Sequence, residues 1–419
     1  MTKGRREFLE TAGGALAAGA VTPQAGPGSR GPSVPPKDGI YDAAVIGSGV
    51  FGSWTAWHLQ RAGKSVALVD TYGPASSRAS SGGETRVTRM GYGPDEVYTR
   101  WSWKSLEQWK ALSARAGGAP LFHETGVLWM AHEQDSRSVA TLEMLTRVGV
   151  PHERLDRAQL EKRWPQIAFG EVTWGIHEPR SGALMARRSV QAVSAEVLKN
   201  GADVRVAAVL PPKGDGGLAE VALSDGSRLR ARSFVFALGP WLGKVFPEVL
   251  GERIFPTRQE VFYFGPPAGD PRFGPPHFPT WIDFVDEIYG IPDIETKGFK
   301  VAPDVHGPRF DPDSGERRVT AEGLATARAF LAKRFPLLKD APLVASEVCQ
   351  YENSSNGDFL IDRHPSRENV WLVGGGSGHG FKHGPAVGEY VAARVLDTGT
   401  VDPRFSLATK QKMQNRAVH

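Results

Sequence analysis

The sequence predicts an α/β fold of two domains, and three observations predict it. A strand–helix–strand unit of about 30 residues, the size of a βαβ crossover, begins near Ile40. Within it, Gly47-Ser48-Gly49-Val50-Phe51-Gly52 matches G-x-G-x-x-G, and Asp70 follows about 20 residues later. Similar βα signals recur near the C-terminus, with a β-rich stretch between the two ends. Together these imply a Rossmann-like cofactor domain that is discontinuous, interrupted by a β-sheet-rich substrate domain.

The elements follow in order. Ile40–Ile46 is a short apolar run with the look of a buried strand, Val50–Ala62 has helical spacing, and Ser65–Val69 is a second strand ending at Asp70. Val97–Ala114 is helical, and Trp103, Leu106, Trp109 and Leu112 form an apolar stripe that reads as core packing. Ser189–Lys199 is an amphipathic helix leading through Asn200-Gly201 into a strand over Asp203–Val209. Asp225-Gly226 between Glu220–Leu223 and Arg228–Ala231 marks a hairpin. Ser233–Ala237 is a buried strand. Phe255–Phe310 holds short strand-like pieces among Pro, Gly and aromatics. Ala321–Phe335 is helical, Leu343–Gln350, Phe359–Asp362 and Val370–Val373 are strands, and Pro385–Leu396 is the last helix. The cofactor domain is expected over 40–115, 175–250 and 336–410, and the substrate domain over 116–174 and 251–335.

Composition narrows the classes. The chain has 419 residues, 40% of them hydrophobic, which is ordinary for a globular protein of two or three domains. A net charge of +4 without a run of like charges gives no reason to expect a nucleic-acid partner. One cysteine excludes an internal disulfide framework and a Cys-based zinc cluster, and no metal site is expected. No apolar run has the length of about 18 residues that a membrane span needs, so no stable span is expected. Gly4-Arg5-Arg6-Glu7-Phe8-Leu9 before an Ala/Gly-rich stretch resembles a twin-arginine export signal; a basic tail is the alternative. That route carries folded, cofactor-loaded proteins to a periplasmic or extracellular location. Residues 22–39 read as a Gly/Pro-rich linker, so signal and linker together occupy 1–39.

Each fingerprint residue has a reason. Gly47 makes the tight turn, Gly49 lets a pyrophosphate approach the backbone, and Gly52 brings the helix close to the strand. The helix N-terminus offers N–H groups and a positive dipole end to phosphates, and Asp70 meets a ribose hydroxyl. The pattern alone does not separate FAD from NAD.

Four further stretches carry a resemblance. They are Ser81-Gly82-Gly83-Glu84-Thr85-Arg86-Val87-Thr88-Arg89, Gly298-Phe299-Lys300, Cys349-Gln350-Tyr351, and Gly376-Ser377-Gly378-His379-Gly380-Phe381-Lys382. In this order the chain resembles the monomeric sarcosine oxidase and N-methyltryptophan oxidase family, FAD-dependent amine oxidases of the D-amino-acid-oxidase-like superfamily. The resemblance runs from about Tyr41 to Leu407. It implies a monomeric flavoprotein that transfers hydride from a secondary amino acid to FAD. The imine is then hydrolysed, and the flavin is reoxidised by O2 to give H2O2.

The resemblance also assigns residues. Cys349 matches the cysteine that carries the flavin covalently, with a buried structural thiol as the alternative. Lys300 matches the lysine that promotes reaction with oxygen. Arg89 and Lys382 match the cations that grip the substrate carboxylate. Their alternatives are a strand lysine, a surface ion pair and a helix-flanking charge. Thr85 and Arg86 are expected to face the flavin ring, and Tyr351 to line the substrate cavity. Gly239 and Trp241 are expected along the flavin. Gly378, His379, Gly380 and Phe381 are expected at its pyrimidine end, with backbone N–H groups stabilising negative charge. Ordinary packing and turn chemistry is the alternative for all of these.

The chain departs from the pattern twice. Gly82 and Asp304 stand where sarcosine-oxidase-type chains have histidine, with His306 two residues beyond Asp304. The expected substrate is therefore a carboxylate-bearing secondary amine, N-methyl or cyclic, that need not be sarcosine. Two rival functions stay open. One is an exported amine dehydrogenase passing electrons to a quinone or carrier. The other is a flavin-carrying binding protein without turnover.

Overall fold

A computed structural model describes residues 34–411. The export-signal residues lie outside this range. The first sheet has the strand order Leu360–His364, Arg367–Gly374, Arg228–Phe236, Tyr41–Ile46, Val66–Asp70 and Asp203–Val206, with Glu220–Ala222 paired to Arg228–Phe236. Its central pairings are parallel, and only the edge hairpins are antiparallel. Strand alternation explains its two cores. Ala43, Val45, Leu68, Val235 and Val373 pack against the Val50–Arg61 and Gly384–Val395 helices on one face. Ala44, Ile46, Val69, Phe234, Phe236 and Leu372 pack against Leu242 and Phe246 on the other. Both faces are covered, so the strands read as continuous apolar runs.

The second sheet has eight strands. Their order is Leu343–Ser354, Ile254–Phe264, Phe299–Pro303, Ile288–Ile291, Thr280–Asp283, Val127–Ala131, Trp174–Glu178 and Glu153–Asp156. One face packs on the Ala321–Arg334 helix through Trp281, Phe299, Phe330 and Phe335. Beneath that helix Arg334 and Asp283 pair at 2.7 Å with no side-chain exposure. Such a pair is costly to desolvate and costly to break. The other face carries Val261, Tyr263 and Ala302, with Tyr289 and Cys349 packed on them. A small third sheet joins Thr85–Thr88, Gly182–Met185 and Phe122–His123.

Sheet membership departs from the expected domain limits at two strands. All of Trp174–Glu178 but its first residue, and the whole of Leu343–Ser354, fall in segments assigned to the cofactor domain, yet both pair in the eight-stranded sheet. Their partners lie far away in sequence, so local pattern does not reveal them. Among the elements, the strand after Leu343 runs four residues beyond the expected end and carries Cys349 and Tyr351 to the first sheet. The strand at Asp203 stops at Val206, short of the expected Val209.

Candidate active site

A cavity of about 390 Å³ opens where the first sheet meets the end of the Leu343–Ser354 strand. The glycine turn builds its floor. Gly47 has φ +104°, and a Cβ there would lie 2.2 Å from the Ala237 carbonyl oxygen. A Cβ on Gly52 would lie 1.8 Å from the Gly47 oxygen, so this glycine seats the helix on the turn and stays off the wall. Gly49 is different: a Cβ there would meet only Ser81 Oγ, at 3.6 Å. The protein leaves that space clear, which suits a group approaching the backbone. The helix that begins at Val50 has no side-chain cap and no acidic residue in its first turn. Its dipole end therefore stays available to an anion, while Val50 N–H donates to Ser81 Oγ at 3.1 Å. Asp70 stands on the wall, its carboxylate oxygens accepting from the Ser48 and Tyr72 N–H groups at 2.7 and 2.8 Å.

The structure brings most of the expected cofactor residues to this cavity. Arg86, Gly239, Trp241, Cys349, Gly378, Gly380 and Phe381 line it with Gly47, Gly49 and Asp70. Arg86 is locked by the carbonyls of Thr85 (2.8 Å) and Ser80 (2.6 Å), and its Nη2 donates to Cys349 Sγ at 3.1 Å. Trp241 is fixed by Asp313 at 2.7 Å.

Two residues are placed otherwise. Thr85 is buried behind the wall, and its carbonyl accepts from Lys300 Nζ at 3.1 Å. His379 is buried against Tyr98 and Phe359, off the wall. The N–H groups of His379 and Gly380 already donate to the Gly376 oxygen at 2.9 and 2.8 Å. Turn formation engages these donors, so the expected anion-stabilising role of that pair does not fit.

The cationic residues lie deeper. Arg89 is 5% exposed, with its guanidinium 4.3 Å from the Tyr92 ring centroid and 5.0 Å from that of Trp129. Lys382 is buried and donates to Tyr92 Oη at 2.9 Å and the His379 oxygen at 2.8 Å. Tyr92 Oη also lies 2.7 Å from His383 Nε2. Burial and then the Arg89 charge push Lys382 well below the usual lysine range. Lys300, on the site face of the eight-stranded sheet, is 1% exposed. Burial, then the Arg86 charge, lowers its ammonium to about 7. Lys300 therefore titrates near neutral pH, and Lys382 holds its proton less firmly than an exposed lysine.

Tyr351 lines the cofactor cavity and donates to Asp304 Oδ1 at 3.0 Å. Gly82 does not leave a hole where a histidine was expected. A Cβ there would lie 1.9 Å from the Ser76 oxygen, so no side chain fits this backbone. His306 is exposed.

Sequence reasoning missed Ser81, Tyr289 and Glu352. Glu352 lines the cavity, and burial pushes its carboxyl up to about 8. Strand alternation from Cys349 points to Tyr351 and sets Glu352 on the opposite face, so the strand pattern offered no signal for it.

The comparisons agree with this geometry. The DAO model, FAD dependent oxidoreductase, matches residues 42–394. The chain is 29% identical to peroxisomal sarcosine oxidase of Homo sapiens, over 84% of this chain and 90% of that protein. It is 28% identical to N-methyl-L-tryptophan oxidase of Yersinia pestis (strain Pestoides F), over 85% and 95%. The solved L-proline dehydrogenase from P. horikoshii shares the fold, with a TM-score of 0.77, 20% identity and coverage of 91% of this chain and 100% of that one. A cavity floored by a glycine turn at a helix N-terminus, with an acidic residue at the next strand end, fits the cofactor of this family. The chain belongs to the DAO family of FAD-dependent oxidoreductases.

Proposed function

We propose that the protein is an oxidase of a secondary amino acid, N-methyl or cyclic, acting on its CH–NH group. The carrying observation is the buried pair Arg89 and Lys382, both set against the Tyr92 ring and both acting on Asp304, which Tyr351 ties to the cofactor wall. A buried arginine fork with a lysine beside it suits a substrate carboxylate.

The glycine turn, Asp70, Arg86, Trp241 and Phe381 would hold FAD, with Cys349 as its covalent attachment point. When bound, FAD supplies the two-electron acceptor for hydride from the carbon beside nitrogen, and O2 is the final acceptor, giving H2O2. The chain does the rest. Arg89 orients the carboxylate, and its ring sandwich sets the plane of the fork. Lys382 adds a positive group beside Arg89, and an arriving carboxylate favours its charged form. Lys300 places a titrating cation beside the cofactor, where charge develops on oxygen. The protein acts as a monomer, exported to the periplasm or beyond.

Two measurements test this reading. Purified, oxidised protein is mixed without air with N-methyl and cyclic amino acids while the flavin band is followed. Bleaching by a member is expected, followed by recovery with oxygen uptake when air enters. Bleaching without oxygen uptake means a dehydrogenase, and no bleaching means a binding protein or another substrate class. Cys349→Ser is expected to release its flavin on acid precipitation, whereas the parent retains it. Retention by the variant would exclude the covalent link.

A further inference from the structure

Asp304 joins two cavities. The Tyr351 hydroxyl that donates to its Oδ1 belongs to the cofactor cavity. Asp304 itself lines a second cavity of about 400 Å³, together with Arg137, Phe284 and Glu287. The Tyr351–Asp304 hydrogen bond is thus a wall between the cofactor and an outer pocket.

The electrostatics around this wall are uneven. Arg89, Lys382 and Arg137 all act on Asp304 from separate elements. Tyr351 and Tyr289 face it from two strands of the eight-stranded sheet, and Lys300 and Tyr92 feel its charge. Asp135, Asp283 and Glu287 line the outer cavity with Asp304, and Glu178, which like Asp304 acts on Lys382, is saturated. Its oxygens accept from Gly91 N–H, Trp129 Nε1, Met90 N–H and Ser181 Oγ. Asp304 receives one side-chain hydrogen bond, from Tyr351, among the described residues. An amino acid in solution is a zwitterion, and its ammonium needs an anion as its carboxylate needs Arg89. Hydride loss also requires a neutral amine, so the proton must go somewhere.

We propose that Asp304 binds the substrate ammonium and takes its proton before oxidation. One N–H bond breaks and one O–H bond forms on the Asp304 carboxylate, with no change of oxidation state. The carboxyl then returns the proton to water through the outer cavity. Burial pushes the Asp304 carboxyl up to about 6, which keeps it ionised at neutral pH yet basic enough to share a proton. This inference rests on the amino-acid reading above and adds the residue that handles the amine.

The test pairs amines with oxygen isosteres: sarcosine with methoxyacetate, and L-proline with tetrahydrofuran-2-carboxylate. Binding to the holoenzyme is read from perturbation of the flavin spectrum. The parent is expected to prefer amine over ether by about tenfold or more at pH 7.5, the scale of a charge-assisted hydrogen bond. That preference is expected to vanish below pH 6 as Asp304 protonates. Asp304→Asn, which still accepts from Tyr351, is expected to lose the preference while ether affinity stays within about twofold, and Asp304→Glu to restore part of it. Equal losses for both ligands, or an unchanged preference in Asp304→Asn, would overturn the proposal. The pH arm uses the parent alone, so a variant that fails to fold does not shield it. Failure of every ligand to bind the parent would overturn the amino-acid reading as well, which separates the two failures.

Discussion

Replacing Lys300 by methionine is expected to slow the reaction of the reduced enzyme with oxygen by about 100-fold or more, the scale of losing one preorganised charge-stabilising group. Anaerobic bleaching by substrate should change little. Methionine keeps most of the stem volume, so the packing against Tyr289, whose ring centroid lies 5.2 Å from Nζ, survives. What is lost is a proton-bearing nitrogen at a site that is 1% exposed, where water cannot replace it. The sign of the pH effect follows from the lowered ammonium. Its charged form dominates below about 7 and disappears above it. The parent's oxygen reaction should therefore fall as pH rises through 7, and the variant's should be flat across that range. Stopped-flow mixing of reduced enzyme with oxygen from pH 6 to pH 9 reads both effects. Equal reoxidation rates in parent and variant would remove Lys300 from the oxygen step.

The second large effect belongs to Arg89. Arg89→Ala is expected to weaken binding of carboxylate-bearing amines by about 100-fold, from the loss of a two-pronged charged hydrogen bond in a buried site. The loss should fall mainly on KM if the grip serves ground state and transition state alike. Discrimination against the decarboxylated amine should shrink with it. Comparing sarcosine with dimethylamine in parent and variant measures this directly. Two details sharpen the expectation. Removing Arg89 also removes a charge that holds the Lys382 ammonium down, so Lys382 recovers part of the binding. Arg89→Lys should rescue poorly, because a point charge does not reproduce a fork held between the Tyr92 and Trp129 rings. An unchanged ratio of sarcosine to dimethylamine would show that the carboxylate is gripped elsewhere.

Much of this site was legible because its signals are local. Gly47 and Gly52 stand where no Cβ fits, Gly49 keeps the space beside the turn clear, and Asp70 follows at the end of the next strand. The spacing is set by one strand, one turn and one helix, so a reading of neighbours suffices. The motif residues Arg86, Cys349 and Phe381 were likewise named from short runs, and the structure places all three on one wall.

The same locality explains the errors. The strand Leu343–Ser354 pairs with Ile254–Phe264 along nearly its whole length, and that pairing sets its end, its sheet and the direction of Glu352. Nothing within the strand states it. The donors of His379 and Gly380 turn inward because the chain reverses onto the Gly376 oxygen, a choice of backbone geometry invisible in the letters.

The α/β class, the cofactor turn and the identity of the charged side chains are legible in the letters alone. These depend on residue type and on neighbours within one or two elements. Which cations are weakened, and which carboxylate faces them, is set by the fold. Lys300 and Lys382 are weakened cations because folding removes water and adds an arginine charge to each. Asp304 faces the cation cluster because the sheet carries it beneath Tyr351. Desolvation and through-space charge act between residues distant in the chain, so they come into being only when the chain folds.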